Sequence, residues 1–244
     1  MNAYYYFNKL PIYVTDNSCN SKTPTFLKNG KIWEEEMVYY FYSFLHEKSL
    51  KNKVNVVDVG AQIGLYSLLA KYLPNTYFYA FEPSKENRDE LVKNLKFNEI
   101  NNVKVFPEAL SNKKETTTLQ ICETHNGLHT LSKNPLRFKK DKSIPVKTDT
   151  LDSVFYDHNH KVDVIKMDTE GWEYYILQGG LKTIRKDHPD ILMEYYPINM
   201  KQCGVKPEQI DELLKKEGYH LQKITGEERW YTHHSKALVY FDVG

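Results

Sequence analysis

From residue 54 onward, short strand-like runs alternate with helical segments, and this alternation constrains the fold more than any other feature. Runs of four to six residues rich in β-branched and aromatic side chains are typical of buried parallel strands. Such runs lie at 54–59, 76–81, 103–106, 162–167 and 190–195. Helical segments are predicted at 63–73, 84–98, 172–185 and 207–217. Because right-handed crossovers join strands in this order, the sequence predicts an α/β domain with a mostly parallel sheet and helices on both faces.

The two ends of the chain depart from this alternation. Residues 1–33 are predicted to be irregular, with short extended pieces and a turn at Asn29-Gly30, and a helix is predicted at 34–48. We therefore expect an N-terminal extension over residues 1–50, followed by the main domain at 51–244. At the other end, the predicted strands 219–224 and 237–241 follow each other without a helix, which indicates an antiparallel hairpin at one edge of the sheet.

An insertion interrupts the main domain at residues 111–147. Within it, 116–122 is predicted to form an additional strand, whereas 125–142 is polar and typical of a loop. An irregular segment in this position would be expected to cover the acceptor side of a ligand site.

Composition excludes several classes of protein. Hydrophobic residues make up 41% of the 244 residues, mean hydropathy is -0.62, and no apolar run reaches 18 residues, which argues against a membrane protein. The formal net charge is +1, so the overall field that attracts nucleic acid is missing. Cys19, Cys122 and Cys203 form no Cys-x-x-Cys motif, and the N-terminus lacks the features of a signal peptide. We therefore expect a cytoplasmic protein that needs neither a membrane nor nucleic acid; its oligomeric state is open, with a homodimer as one alternative.

The loop after the first predicted strand carries the first functional signal. Its sequence runs from Asp58 to Gly64 as DVGAQIG, and its glycines allow a sharp turn and a close approach to a ligand. The G-x-x-x-G spacing differs from the G-x-G-x-x-G that holds a pyrophosphate, and the carboxylate of Asp58 would attract an ammonium or sulfonium group instead. Glu82 ends the second strand, 18 residues after Gly64, where a carboxylate can accept hydrogen bonds from both ribose hydroxyls.

These residues together predict S-adenosylmethionine as the ligand, because it joins an adenosine to a cationic tail. Two solvated acids at strand ends are the alternative explanation. The predicted contacts, including two residues after the third strand, are Asp58, Gly60, Ala61, Gln62, Gly64, Glu82, Pro83, Glu108 and Ala109.

Four segments resemble the FkbM family of S-adenosylmethionine-dependent methyltransferases. They read VVDVGAQIGLYSLLA, YAFEPSKENRDELVKNLKFN, KTDTLDSV and IKMDTEGWEYYILQGG, and the resemblance covers about residues 54–196. It implies the Rossmann-like class I methyltransferase sheet of seven strands, the last one antiparallel. Gln62 departs from the family pattern, which has Asn at this place in Gly-Ala-Asn-x-Gly. Similar members of the family mostly methylate hydroxyl groups of sugars or polyketide-type natural products.

Acidic residues at the ends of the fourth and fifth strands are the candidates for catalysis. An alcohol acceptor must lose its proton as the new bond forms, and a carboxylate within about 3 Å would serve as general base. Asp168 and Glu170 are the first candidates and Glu194 is the third, with Lys166 expected to pair with a carboxylate. Two alternatives stay open. Lys166, Asp168 and Glu173 would form a purely structural ion-pair network, or Asp168, Glu170 and Glu194 would bind a divalent cation, for which hard oxygen ligands suit Mg²⁺ or Mn²⁺.

The acceptor is expected to be a small molecule or a glycan. His129 in the insertion is a candidate acceptor contact, as are Tyr195 and Tyr196 after the fifth strand, since aromatic faces stack on sugar rings. The sequence thus predicts an O-methyltransferase that acts on a hydroxyl of a sugar, a glycan or a glycosylated small molecule. An RNA methyltransferase, acting on ribose or base, and a non-catalytic cofactor-binding module are the alternatives. Against RNA, no Asn/Asp-Pro-Pro-Tyr motif follows the fourth strand, and the basic run 137–142 is typical of a solvated loop.

Overall fold

The computed structural model describes residues 2–7, 10–15, 34–139 and 142–236. Its strands are β1 (Asn2–Phe7), β2 (Leu10–Thr15), β3 (Val54–Val59), β4 (Thr76–Phe81), β5 (Val103–Phe106), β6 (Ala109–Leu110), β7 (Glu115–Ile121), β8 (Lys142–Asp149), β9 (Val164–Met167), β10 (Asp190–Glu194), β11 (Tyr219–Thr225) and β12 (Glu228–His233). Its α-helices are α1 (Glu35–Lys51), α2 (Lys85–Phe97), α3 (Glu173–Gln178), α4 (Leu181–Asp187), α5 (Pro197–Gln202) and α6 (Pro207–Lys216). A 3-10 helix spans Ser67–Tyr72, and a π-helical turn spans Asp152–Tyr156.

A seven-stranded sheet with the order β11-β12-β10-β9-β3-β4-β5 forms the centre of the fold. The five strands from β10 to β5 are parallel to their neighbours, whereas β12 pairs antiparallel with both β10 and β11. This arrangement confirms the predicted Rossmann-like α/β fold with a mostly parallel sheet and an antiparallel C-terminal hairpin.

The strands of that hairpin are in part different from those predicted. The partner of β11 is β12 at residues 228–233, which follows after a two-residue turn; the predicted strand at 237–241 lies outside the described residues. The last strand is also inserted between β10 and β11, so β11 forms the edge of the sheet. A two-residue turn of this kind joins antiparallel strands without a helix. β12 was not predicted because it begins with the charged pair Glu228-Arg229 and so contains no continuous apolar run.

Two hydrophobic clusters cover the two faces of the sheet. Val56, Leu192 and Trp230 belong to the cluster under α1, the 3-10 helix and α2. Val57 and Ile191 belong to the other cluster, which packs against α3, α4 and α6. Because side chains alternate along a strand, this division decides which strand-end residues share a face.

Two predicted helices differ from the structure because of glycines. The predicted helix 63–73 is a turn followed by the 3-10 helix, since Gly64 has a φ of +99°, which lies outside the right-handed helical region. The predicted helix 172–185 is split into α3 and α4 at Gly179-Gly180. A Cβ on Gly179 would lie 2.1 Å from the carbonyl oxygen of Ser111, so the chain passes too close to β6 for an ordinary helical residue.

The insertion contributes a second sheet with the order β6-β8-β7. β7 lies within one residue of the predicted strand 116–122, but β8 was not predicted. Its sequence KSIPVKTD is half polar and contains a proline, so it lacks the apolar run of a buried strand.

The N-terminal part contains an antiparallel pair of β1 and β2 and the helix α1, which extends three residues beyond its predicted end. The turn predicted at Asn29-Gly30 lies outside the described residues, and the division of the chain at residue 50 stays a prediction. Within the described ranges, no helix combines the length and the apolar character that crossing a bilayer requires.

Candidate functional site

A cavity of about 380 Å³ opens at the carboxyl ends of β3, β4, β9 and β10. Open α/β sheets bind their ligands at this edge. Nine of the residues nominated from the sequence line it: Gly60, Gln62, Glu82, Pro83, Ala109, His129, Asp168, Glu170 and Glu194. The fold therefore brings the predicted cofactor residues and the predicted catalytic residues to one cavity.

The loop that follows β3, here called the glycine loop, contains Gly60 and Gly64 and turns tightly against the end of β9. Gly60 has a φ of +75°, and a Cβ at this position would lie 1.9 Å from the carbonyl oxygen of Asp168. The backbone N–H groups of Gly60 and Ala61 both donate to the carbonyl oxygen of Phe81, each at 3.0 Å. Only glycine satisfies both the left-handed conformation and this close approach.

Glu82 is buried at the cavity wall and is held by two backbone groups. Its Oε2 accepts a hydrogen bond from the Gln62 N–H at 2.9 Å, and its Oε1 accepts one from the Ser84 N–H at 2.8 Å. Burial raises the pKa of Glu82 to about 7, although the two N–H donors favour the ionised form. Each carboxylate oxygen has a second lone pair, so this fixed side chain can accept two more hydrogen bonds from a diol.

The insertion is tied to the glycine loop through amide side chains. Gln62 has a φ of +49°, and its Nε2 donates to Oδ1 of Asn126 at 3.1 Å. Nδ2 of Asn87 on α2 donates to the Asn126 carbonyl oxygen at 3.1 Å. Both asparagines line the cavity, but sequence reasoning missed them because no local pattern separates them from surface asparagines.

Asp58 and Lys166 lie beneath the cavity and do not line it. Both side chains are fully buried, and Oδ2 of Asp58 accepts a hydrogen bond from the Ser67 hydroxyl at 2.6 Å. Nζ of Lys166 lies 3.9 Å from Asp58 and 3.8 Å from Asp168. Burial lowers the pKa of Lys166, but the carboxylates of Asp168 and Asp58 outweigh this effect and hold the pKa above its ordinary value. Lys166 therefore supports Asp168 from below as a fixed cation.

The part of the cavity lining formed by the ends of β9 and β10 is acidic. Asp168, Glu170 and Glu194 each place one carboxylate oxygen within 4.8 Å of the others. Burial and the neighbouring Asp168 raise the pKa of Glu170 to about 8, against the effect of Arg137, whose guanidinium lies 3.0 Å from Oε2 of Glu170. Burial also raises the pKa of Glu194, followed in size by the charge of Asp168; Nδ2 of Asn199 donates to Glu194 at 3.0 Å.

Two more glutamates, which the sequence analysis did not nominate, line this acidic end. They are Glu34 at the start of α1 and Glu227 in the β11–β12 turn. The Tyr66 hydroxyl donates to Glu34 at 2.9 Å, and burial followed by the charge of Asp168 raises the pKa of Glu34. Neither residue belongs to a motif, and their positions far apart in the chain leave no local signal.

Three nominated acceptor residues lie in different surroundings. His129 lines the cavity, its Nδ1 accepts a hydrogen bond from the Cys122 N–H at 3.2 Å, and burial lowers its pKa to about 4, so the ring is neutral at pH 7. Tyr195 follows Glu194 and therefore points to the opposite face of the sheet, where its hydroxyl donates to Asp211 at 2.7 Å. Tyr196 is half-buried and packs against Arg137 at 5.1 Å from the ring centre to the guanidinium carbon.

Of the nominated cofactor residues, Ala61, Gly64 and Glu108 also lie outside the cavity lining. Gly64 has a packing role instead, because a Cβ there would lie 2.3 Å from Cδ1 of Leu91 on α2.

Comparison with known protein families identifies the family to which this chain belongs. The family model of the methyltransferase FkbM domain matches residues 58–221, about two thirds of the chain. The chain belongs to this family. The match includes both the glycine loop and the acidic strand ends, and the family resemblance noted in the sequence is thereby confirmed. No curated protein matches the sequence.

Several solved structures are similar to this chain at low sequence identity. Methyltransferase FkbM from Methylobacillus flagellatus KT is 16% identical with a TM-score of 0.51; the alignment covers 90% of this chain and 56% of that one. This chain thus spans about half the length of that relative. Precorrin-6y C5,15-methyltransferase from Geobacter metallireducens GS-15 is 13% identical (82% and 87% covered, TM-score 0.48), and an rRNA methylase from Streptococcus thermophilus is 10% identical (83% and 99% covered, TM-score 0.49).

Gln62 stands where the FkbM pattern has asparagine, and the structure shows one contact that its side chain makes. Its side chain is longer than the asparagine usual at this position, and it reaches Asn126 of the insertion. The substitution therefore adds a contact between the glycine loop and the segment that covers the cavity.

Proposed function

We propose that this chain is an S-adenosylmethionine-dependent O-methyltransferase that acts on a hydroxyl of a sugar, a glycan or a glycosylated small molecule. The observation that carries the proposal is the division of one cavity into two ends. The glycine loop and Glu82 form one end, and the carboxylates of Asp168, Glu170 and Glu194 form the other. Family membership supports the methyl-transfer chemistry, and the two ends support a cofactor beside an acceptor.

The cofactor end suits the adenosine of S-adenosylmethionine. Gly60 lets the glycine loop pack against the backbone of Asp168 at the cavity wall, and Glu82 offers lone pairs for the two ribose hydroxyls. Leu110, Leu119 and Leu131 add apolar surface to the lining, against which an adenine ring can pack.

The acceptor end suits removal of a proton from a hydroxyl group. When bound, S-adenosylmethionine would supply a methyl group on a sulfonium, and the acceptor oxygen would form the new C–O bond as the C–S bond breaks and sulfur keeps the electron pair. The hydroxyl proton would pass to a carboxylate, for which Asp168 and Glu170 stand next to each other at the end of β9. Lys166 and Arg137 would hold these carboxylates in position through their ion pairs.

The carboxyl groups of the acceptor end favour a sugar acceptor over RNA. Five carboxylates line it, those of Glu34, Asp168, Glu170, Glu194 and Glu227. In their ionised forms they would repel the phosphates of RNA but not a sugar hydroxyl. We also propose a cytoplasmic location, which the unpaired, buried thiols of Cys122 and Cys203 support.

Two measurements test the proposal in sequence. Calorimetric titration with S-adenosylmethionine is expected to give binding of one molecule per chain; no binding would refute the methyltransferase assignment. Transfer of a tritiated methyl group is then measured on nucleotide sugars, oligosaccharides, glycosylated small molecules and ribosomal RNA, and mass spectrometry locates the label. A product methylated on oxygen of a carbohydrate is expected, whereas label in RNA alone would replace the proposed acceptor.

A further inference from the structure

The three carboxylates at the acceptor end are arranged like the ligands of a cation. One oxygen each of Asp168, Glu170 and Glu194 lies within 4.8 Å of the other two. Around Mg²⁺ or Mn²⁺, ligand oxygens about 2.1 Å from the ion are separated by about 3–4 Å. The Asp168 side chain is 34% exposed and therefore has room to move, whereas Glu170 and Glu194 are buried beside it.

More carboxyl groups than cationic side chains surround this trio. Among the described residues, the ion pairs that reach the trio come from Arg137, which contacts Oε2 of Glu170, and from Lys166, which is shared between Asp168 and Asp58. Four further carboxylates adjoin the trio: Glu34 and Glu227 in the lining, and Glu173 and Glu228 buried behind it. Buried carboxyl groups in proteins hold a proton, pair with cations or coordinate metals, because an uncompensated buried charge is costly.

Buried oxygens next to Glu194 give a second, independent indication. Asn199 is fully buried and donates through Nδ2 to Glu194, but its Oδ1 has no hydrogen-bond partner in the described part of the chain. Glu228 lies directly opposite Glu194 in the β10–β12 pair, on the same face of the sheet, and its Oε2 is likewise without a partner there. A buried acceptor without a donor costs about 1–3 kcal/mol, and the water molecules carried by a bound cation are the donors that would satisfy such oxygens.

We propose that Asp168, Glu170 and Glu194 bind one Mg²⁺ or Mn²⁺ ion, and that this ion contacts the reacting hydroxyl group of the acceptor. This inference rests on the proposed function for the identity of the acceptor, but not for the ion site. Oxygen ligands that carry charge favour these hard cations over zinc. The ion withdraws electron density from the reacting hydroxyl, so its proton leaves more readily to a carboxylate oxygen that does not contact the ion.

Titration with Mn²⁺ tests the site directly, because the electron paramagnetic resonance signal of free Mn²⁺ falls as the ion binds. The titration is run on the full chain with and without S-adenosylmethionine, and cofactor binding is measured on the same samples. One Mn²⁺ per chain is expected, displaced by Mg²⁺. Asp168→Asn and Glu194→Gln are expected to weaken Mn²⁺ binding by at least about tenfold, as loss of a ligand does.

Glu227→Gln is the matched control, since it removes one charge from the same cavity without removing a member of the trio. It is expected to change Mn²⁺ affinity by less than about threefold, because Glu227 is exposed to solvent, which screens its charge, and is not a member of the trio. An equal loss in all three variants would overturn the site, because attraction by general negative charge would explain it. Cofactor binding by wild type without Mn²⁺ binding would also overturn it. Mn²⁺ binding without cofactor binding would support the site and refute the proposed function.

Discussion

The carboxylate of Glu82 provides a quantitative test of the cofactor end. Burial raises its pKa from 4.5 to about 7. Ribose hydroxyls donate hydrogen bonds, so a ribose would select the ionised form. With a pKa of about 7, roughly one Glu82 in eleven is ionised at pH 6 and roughly ten in eleven at pH 8. We therefore expect the affinity for S-adenosylmethionine to rise about tenfold between these pH values through this residue.

Glu82→Gln removes the titration while keeping the shape of the side chain. Loss of charged hydrogen bonds costs about 1.5–3 kcal/mol each, so affinity at pH 8 should fall by at least about tenfold. In the protein without ligand, a rise in pH has the opposite effect: it lowers the contribution of Glu82 to stability. The folded protein binds the Glu82 proton more tightly than the unfolded chain, so the contribution of Glu82 to stability falls as pH rises from about 4.5 to about 7, by about 3 kcal/mol in all. The thermal unfolding midpoint of Glu82→Gln should therefore fall less than that of wild type over this range.

Calorimetric titrations at pH 6, 7 and 8 on wild type, Glu82→Gln and Glu86→Gln measure the effect. Glu86 is an exposed carboxylate in the first turn of α2. Its variant keeps Glu82 and therefore serves as the control for the loss of one carboxylate near the site. The reasoning is refuted if Glu82→Gln binds S-adenosylmethionine with the affinity and pH dependence of the control.

Three further substitutions test the packing around the site. Gly60→Ala should abolish cofactor binding and lower the denaturation midpoint, because its Cβ would lie 1.9 Å from a backbone oxygen; Gly226→Ala, with a φ of +59° but open space, isolates the cost of the conformation. Trp230→Ala should lower the free energy of unfolding in urea by about 3–5 kcal/mol, since this buried ring joins α1 to the sheet; a loss below about 1 kcal/mol would contradict that role. Lys166→Met should cost about 3 kcal/mol in the same assay because it leaves Asp58 buried without its cation, and unchanged stability would show that the ion pair is not needed.

The parallel half of the sheet was predictable because its central strands β3, β9 and β10 are buried on both faces. β3, β4, β5, β9 and β10 all lie within two residues of their predicted bounds, as continuous apolar runs allow. β8 and β12 were not predicted, since each is partly polar and is defined by the partner it pairs with.

At the strand ends, too, some features of the site could be predicted from the sequence and others could not. Asp168 and Glu194 were predicted to meet because parallel strands end at one edge. Tyr195 was nominated beside Glu194, but a single step along a strand reverses the direction of the side chain, and the tyrosine packs on the other face.

The sequence by itself determined the fold class and the family of this protein, because both depend on local patterns: apolar runs, the glycine loop and the segment around Asp168. Tertiary structure alone decided the charge of the acceptor end. Glu34 and Glu227 come from opposite ends of the chain and reach the cavity through α1 and the β11–β12 turn. The net charge of +1 gives no sign of this concentration, since charges that cancel over a whole chain can still be separated in space by its fold.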